Sequence, residues 1–164
     1  MLGAVGNGWC ILGLVPQSIS ILPATPADIP DLAALRGGGT QLEQTMLGYL
    51  QGSYSPRFAE KDRAVFVARL DDDFAGYAAG HRTTRFGCDG ELQWLNVAEK
   101  HRGIGVSDAL IQRMLEWFRA LKINRVCVSV DPENQIARRV YKRHGAAEMD
   151  PYWLVWSDLC LTGL

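Results

Sequence analysis

The feature that most limits how this chain can fold is a turn from a strand into a helix. An alternating run, Glu91–Val97 (ELQWLNV), passes through Ala98-Glu99-Lys100-His101-Arg102-Gly103-Ile104-Gly105 into Val106-Ser107-Asp108-Ala109-Leu110. Val106, Leu110, Met114, Trp117, Phe118 and Leu121 then recur at steps of three and four, which predicts an amphipathic helix over Gly103–Leu121. The first backbone N–H groups of such a helix have no intrahelical partners and lie at the positive end of its dipole. Small residues at 103, 105 and 107 let an anion approach that backbone, and Arg102 and Lys100 add positive charge. The turn reads as an anion site suited to a phosphate or pyrophosphate. It is not a Walker loop, having no Gly-x-x-x-x-Gly-Lys-Ser/Thr. It is not the dinucleotide fingerprint either, because no third glycine follows Gly103 and Gly105 at the required spacing.

Around this turn, strand and helix signals alternate. Ser18–Leu22 alternates as a strand, and Thr25-Pro26-Ala27-Asp28 carries a cap, a proline and an acid that open a helix ending at Gly37-Gly38-Gly39. Gln41–Leu50 reads as a second helix. Ala64–Leu70 and Phe74–Gly80, joined by Asp71-Asp72-Asp73, read as a hairpin. Past the central helix, Arg125–Val130 is a β-branched strand. Asp131-Pro132 opens a helix to His144 closed by Gly145, and Tyr152–Leu159 is a last strand. The order β-α-α-β-β-β-α-β-α-β predicts an α/β (α+β) domain. It has a mixed, largely antiparallel central sheet of six to seven strands with helices on both faces, and a parallel crossover over residues 91–130.

Composition narrows the function classes. The chain has 164 residues, a length suited to one domain, and its 17 Lys+Arg against 18 Asp+Glu leave a net charge of −1. No dense basic block is present, so nucleic acid is not the expected partner. No apolar run is long enough to span a membrane. Cys10, Cys88, Cys127 and Cys160 are widely spaced, as free thiols of a reducing cytoplasm are, and no His or Cys spacing suggests a metal. Residues 1–27 carry no charge. Residues 1–17 are read as an apolar extension that packs on the body or on a second subunit, and residues 18–164 as the single domain.

Two motifs in order carry a resemblance. Arg102-Gly103-Ile104-Gly105-Val106-Ser107 is similar to the acetyl-CoA motif Gln/Arg-x-x-Gly-x-Gly/Ala of the GNAT N-acetyltransferase superfamily. Asn134-Gln135-Ile136-Ala137-Arg138-Arg139-Val140-Tyr141-Lys142-Arg143-His144-Gly145 carries that family's second pattern, Asn-x-x-Ala-x-x-x-Tyr-x-x-x-Gly, in full. Ser107 departs from the usual Gly or Ala but is small. The resemblance covers about residues 18–158, including Gly76 in the hairpin.

The resemblance implies a GNAT-like acyl-CoA N-acyltransferase fold and acetyl transfer from acetyl-CoA directly to a primary amine of a small molecule or peptide, without a metal. A non-catalytic acyl-CoA-binding sensor on the same fold is the alternative, and a homodimer is an assembly the family often adopts. It further implies that Arg102, Gly103, Ile104, Gly105, Val106 and Ser107 hold the pyrophosphate. Leu95, Asn96 and Val97 would run along the pantetheine and acetyl group. Tyr141 is the candidate acid toward the CoA sulfur and Glu91 the candidate base. Asn134 and Ala137 share Tyr141's helix face, with helix capping the competing role for Asn134. Arg138, Arg139, Lys142 and Arg143 could meet a ribose phosphate or simply face solvent. The acceptor pocket would draw on Arg36, Glu43, Tyr49, Tyr54, Trp94, Tyr152, Trp153 and Trp156, aromatics that could equally be core. Cys88 and Cys127 are poor nucleophile candidates, since neither has a placed histidine.

Overall fold

The computed structural model describes residues 18–161, so the apolar extension 1–17 and its expected packing lie outside the described residues. Seven strands form one sheet: β1 Ile19–Pro23, β2 Ala59–Leu70, β3 Asp73–Thr83, β4 Gly90–Val97, β5 Val126–Ser129, β6 Ala147–Asp150 and β7 Trp153–Trp156. Their spatial order is β1-β2-β3-β4-β5-β7-β6, and every neighbouring pair is antiparallel except β4 and β5. That parallel pair requires a crossover, supplied by the central helix α3, Val106–Ala120. The other helices are α1 Ile29–Ala34, α2 Thr40–Gln51 and α4 Gln135–Arg143.

Strand alternation divides the core in two. Phe66, Ala68, Leu70, Ala78, Leu92 and Val128 point to one face and pack with Leu110, Met114 and Phe118 of α3 and with Tyr141 of α4. Val65, Val67, Tyr77 and Ala79 point to the other and meet Ile29 and Leu32 of α1 and Met46 and Tyr49 of α2. Helices therefore cover both faces, as the patterning predicts.

The hairpin closes on Asp71 and Asp72, with Leu70 opposite Asp73 and Asp71 in the left-handed region at φ 53°. Asp tolerates that conformation in a two-residue turn.

Past the central helix, three details differ from the sequence expectation. The strand β6 has no predicted counterpart: it is four residues long and its side chains are mostly exposed, so no apolar alternation marks it. The last strand is shorter than Tyr152–Leu159, ending at Trp156. The helix expected to start at Asp131-Pro132 starts at Gln135. Asp131 Oδ1 instead accepts the Glu133 N–H at 2.8 Å, holding residues 131–133 in a turn, and the cap passes to Asn134.

Candidate active site

The sheet opens at its parallel pair. β4 and β5 are bonded through Gly90↔Val126, Glu91↔Cys127 and Leu92↔Val128, but no further, although β4 runs on to Val97. Val130 turns to β7's side, its N–H donating to the Tyr152 carbonyl at 2.8 Å. From Gln93 onward one edge of β4 thus has no strand partner. At the same point β4 carries a bulge: Gly80 opposes Leu92 and Ala79 opposes Trp94, so Gln93 is the extra residue.

A cleft of about 270 Å³ fills the gap. Arg36 and Trp94 form one end, and Asn134, Ala137 and Tyr141 the other, with Gln93, Leu95, Asn96 and Val128–Asp131 between. Trp94 belongs to the α1/α2 side of the sheet and Tyr141 to the α3 side, so the cleft passes through the sheet.

Tyr141 is buried, edge-on to Trp156 at 5.8 Å between ring centroids. Burial pushes its hydroxyl up to about 12, keeping it protonated near neutral pH. That hydroxyl makes no hydrogen bond to another side chain or backbone group among the described residues. Asn134 lines the cleft but also caps α4, its Oδ1 accepting the Ala137 N–H at 3.1 Å. Capping and site lining are thus both met by one side chain.

The glycine turn has the geometry its sequence demands. Gly103 and Gly105 take φ of 78° and 94°, a region closed to most side chains, and Gly105 stands at the N-terminus of α3. The first amide of the helix to bond back is Ala109, to the Gly105 carbonyl at 3.1 Å. The amides of residues 103–108 precede it without a backbone acceptor among the described residues.

The basic side chains there are partly spent. Lys100 Nζ and His101 Nε2 both hold Asp73, at 2.6 and 2.7 Å, so of the two cations expected at the turn only Arg102 is left, its Nε donating to the Val97 carbonyl at 3.3 Å. Val97 is not in the cleft wall; it sits at the strand end opposite Gly76. The basic run of α4 is likewise paired: Arg138 and Lys142 hold Glu148 at 2.8 and 2.7 Å, and Arg143 holds Asp108 at 2.6 Å, where His144 joins at 2.7 Å. Arg139 makes no ion pair among the described residues. Asp108, which sequence reasoning passed over, ties the start of α3 to the end of α4.

Glu91 lies behind the cleft wall. Its Oε2 accepts from Arg85 Nε at 3.0 Å and from the Thr83 hydroxyl at 3.4 Å. His81 Nε2 is 3.6 Å away, too far for a hydrogen bond, and is otherwise unpartnered, while its Nδ1 meets the Tyr49 hydroxyl at 2.9 Å. Burial raises the Glu91 carboxyl, but the His81 ring and the Arg85 guanidinium outweigh it and hold the group below the usual carboxylate range. Glu91 is therefore ionised at neutral pH and not among the cleft's lining residues.

Of the aromatics expected around an acceptor, only Trp94 reaches the cleft. Tyr49 is fully buried against it at 4.9 Å, and Trp156 is buried in the other core with its indole N–H on the His144 carbonyl at 3.0 Å. Tyr54 and Tyr152 are exposed, and Trp153 lies beside Phe86 and the Arg85 guanidinium. Gln93 was not anticipated: a bulge depends on register, which no local pattern reveals. Burial raises the Cys127 thiol, which leaves it inert as a nucleophile.

The model of the acetyltransferase (GNAT) family matches residues 36–146, a span that contains the glycine turn, the parting of β4 and β5, and Tyr141. The chain belongs to the acetyltransferase (GNAT) family. It is an acyltransferase, and the family's acyl donor is acetyl-CoA.

Solved structures show the same fold at low identity. A protein described as a GNAT-family acetyltransferase from Desulfovibrio desulfuricans is 15% identical, with 85% of this chain and 99% of that one covered at a TM-score of 0.69. The ribosomal-protein-alanine N-acetyltransferase of Brucella melitensis is 19% identical, with 84% and 99% covered and a TM-score of 0.67. The PaiA N-acetyltransferase of Thermoplasma acidophilum, solved in complex with coenzyme A, is 12% identical, with 85% and 99% covered and a TM-score of 0.65. No curated protein matches the chain. Among the described residues no group of three or more His, Cys, Asp or Glu side chains could hold a metal ion, and no helix is long and apolar enough to cross a membrane.

Proposed function

We propose that this GNAT chain transfers the acetyl group of acetyl-CoA directly to a primary amine, without a covalent enzyme intermediate. The observation that carries the reading is the cleft through the sheet, with an unpaired strand edge along it and an unbonded tyrosine hydroxyl at one end. The free amides of residues 103–108 suit the pyrophosphate, and the edge of β4 at Leu95 and Asn96 suits the pantetheine. A backbone N–H on that edge would polarise the thioester carbonyl as a fixed dipole.

Tyr141, protonated near neutral pH, is the acid for the departing thiolate. Glu91 is the base: ionised, paired with Arg85 and behind the wall, it takes the amine's proton through solvent. The acceptor amine enters from the Arg36 and Trp94 end.

Thiol release from acetyl-CoA with a panel of primary amines tests this, comparing wild type with Tyr141→Phe. Loss of a positioned acid should lower kcat by about 10²-fold with little change in acetyl-CoA affinity. A Tyr141→Phe protein with unchanged kcat removes Tyr141 from the mechanism. Binding of acetyl-CoA with no thiol release from any amine would favour a binding module instead.

A further inference from the structure

The cleft is lined by one cation that no carboxylate neutralises, Arg36. Its guanidinium stacks on Trp94 at 5.1 Å from the ring centroid, beside the Tyr77 hydroxyl. Stacking occupies the face of the guanidinium and leaves its in-plane N–H fork available. Arg69, Arg82, Arg85, Arg138 and Arg143 each hold a carboxylate, but Arg36 has none among the described residues. Arg36 is also the only cation in the cleft's lining among the described residues, and the lining's one acid, Asp131, is turned to the Glu133 amide.

Resting on the acyltransfer reading above, we infer that the acceptor is a small amine that also bears a carboxylate, an amino acid in the chemical sense. Its carboxylate takes the fork of Arg36. A planar guanidinium binds a carboxylate through two parallel hydrogen bonds. A cationic polyamine finds no free carboxylate in this lining. Arg36 and Tyr141 line one cleft of about 270 Å³, so a carboxylate on Arg36 and an amine at the acetyl group belong to the same small molecule. Arg36 is then the residue that sets acceptor specificity.

The test uses the full chain with saturating acetyl-CoA and three matched series: glycine, L-alanine, β-alanine and L-phenylalanine, their carboxamides, and the amines left on removing the carboxyl group. For the best acceptor, kcat/KM should exceed that of its carboxamide at least thirtyfold. Arg36→Gln should collapse that ratio toward unity, chiefly through KM, and Arg36→Lys should restore part of it. Arg36 is exposed, so neither variant threatens folding. Carboxamides or plain amines used as well as the acids, or an acid-to-amide ratio unmoved by Arg36→Gln, overturn the inference while leaving acyl transfer in place. If acetyl-CoA binds and no amine is acetylated, acyl transfer fails, and calorimetry on the CoA-saturated protein decides the inference separately. N-acetyl-L-alanine binding more tightly than N-acetyl-L-alaninamide in wild type, and not in Arg36→Gln, supports it; equal affinities in wild type overturn it.

Discussion

Gly76→Ala should both destabilise the protein and disable its cleft, and the two effects have one cause. Gly76 lies in β3 opposite Val97, where the two strands approach closely. A Cβ at this position would sit 2.5 Å from the Asn96 carbonyl oxygen and 3.1 Å from Val97 Cα. Ordinary contact begins near 3.4 Å, so the carbonyl is about 0.9 Å too close, and both obstructing atoms are backbone. No side chain can turn aside, and β4 must move. Overpacking of this kind costs about 1–3 kcal/mol, and a chain of this size loses roughly 2–4 °C of Tm per kcal/mol, so a fall of about 2–12 °C is expected. The displaced residues are the ones beside the cleft, with Asn96 in its wall. A shift approaching 1 Å in a positioning strand lowers kcat/KM by about 10–100-fold. Differential scanning calorimetry and the thiol-release assay measure the two effects. Gly52→Ala is the control: its φ of 82° imposes backbone strain of about 1 kcal/mol, but nothing lies within 4 Å and the site is not in the cleft wall, so kcat/KM should be unchanged. A Gly76→Ala protein that melts within 1 °C or so of wild type and keeps its kcat/KM would refute the reasoning.

Other perturbations separate the remaining roles. Glu91→Gln should lower kcat by about tenfold at neutral pH and, by leaving the Arg85 guanidinium without its carboxylate, lower stability by roughly 3 kcal/mol in urea unfolding; unchanged values in both would show that the pair is idle. Gly105→Ala forces a side chain into φ 94° beside the free amides, so acetyl-CoA should bind about tenfold more weakly by calorimetry, with a smaller loss for acetyl-pantetheine, which lacks the pyrophosphate. Equal losses for both ligands would move the anion site elsewhere. Lys142 first, and then Arg138, hold the Glu148 carboxyl down to about 2 from 4.5, so its contribution to stability is present above pH 4.5 and lost as pH falls toward 2. Glu148→Gln should therefore shallow the acid limb of the stability profile, and a limb of unchanged slope would contradict the pairing.

The legible parts of this protein are those whose chemistry is written in contiguous residues. The turn at 102–107 needs only its own glycines and the start of one helix, and the face shared by Asn134, Ala137 and Tyr141 needs only helical spacing. The hairpin and the two helical layers follow from apolar alternation. The strand β6 escaped because four mostly exposed residues have no pattern to show. Glu91 escaped differently: its position on β4 is clear from sequence, but its burial under Arg85 depends on a loop folding back from β3.

Sequence by itself therefore determined the α/β order, the glycine-rich helix start and the tyrosine face. Tertiary structure alone decided where β4 and β5 part, that Gln93 bulges into the gap, and that Arg36 stacks over Trp94 without a carboxylate. The physical reason is range. Propensity and periodicity act within a few residues, whereas a cleft is made where pairing between distant segments stops, and no local signal marks an absence of pairing.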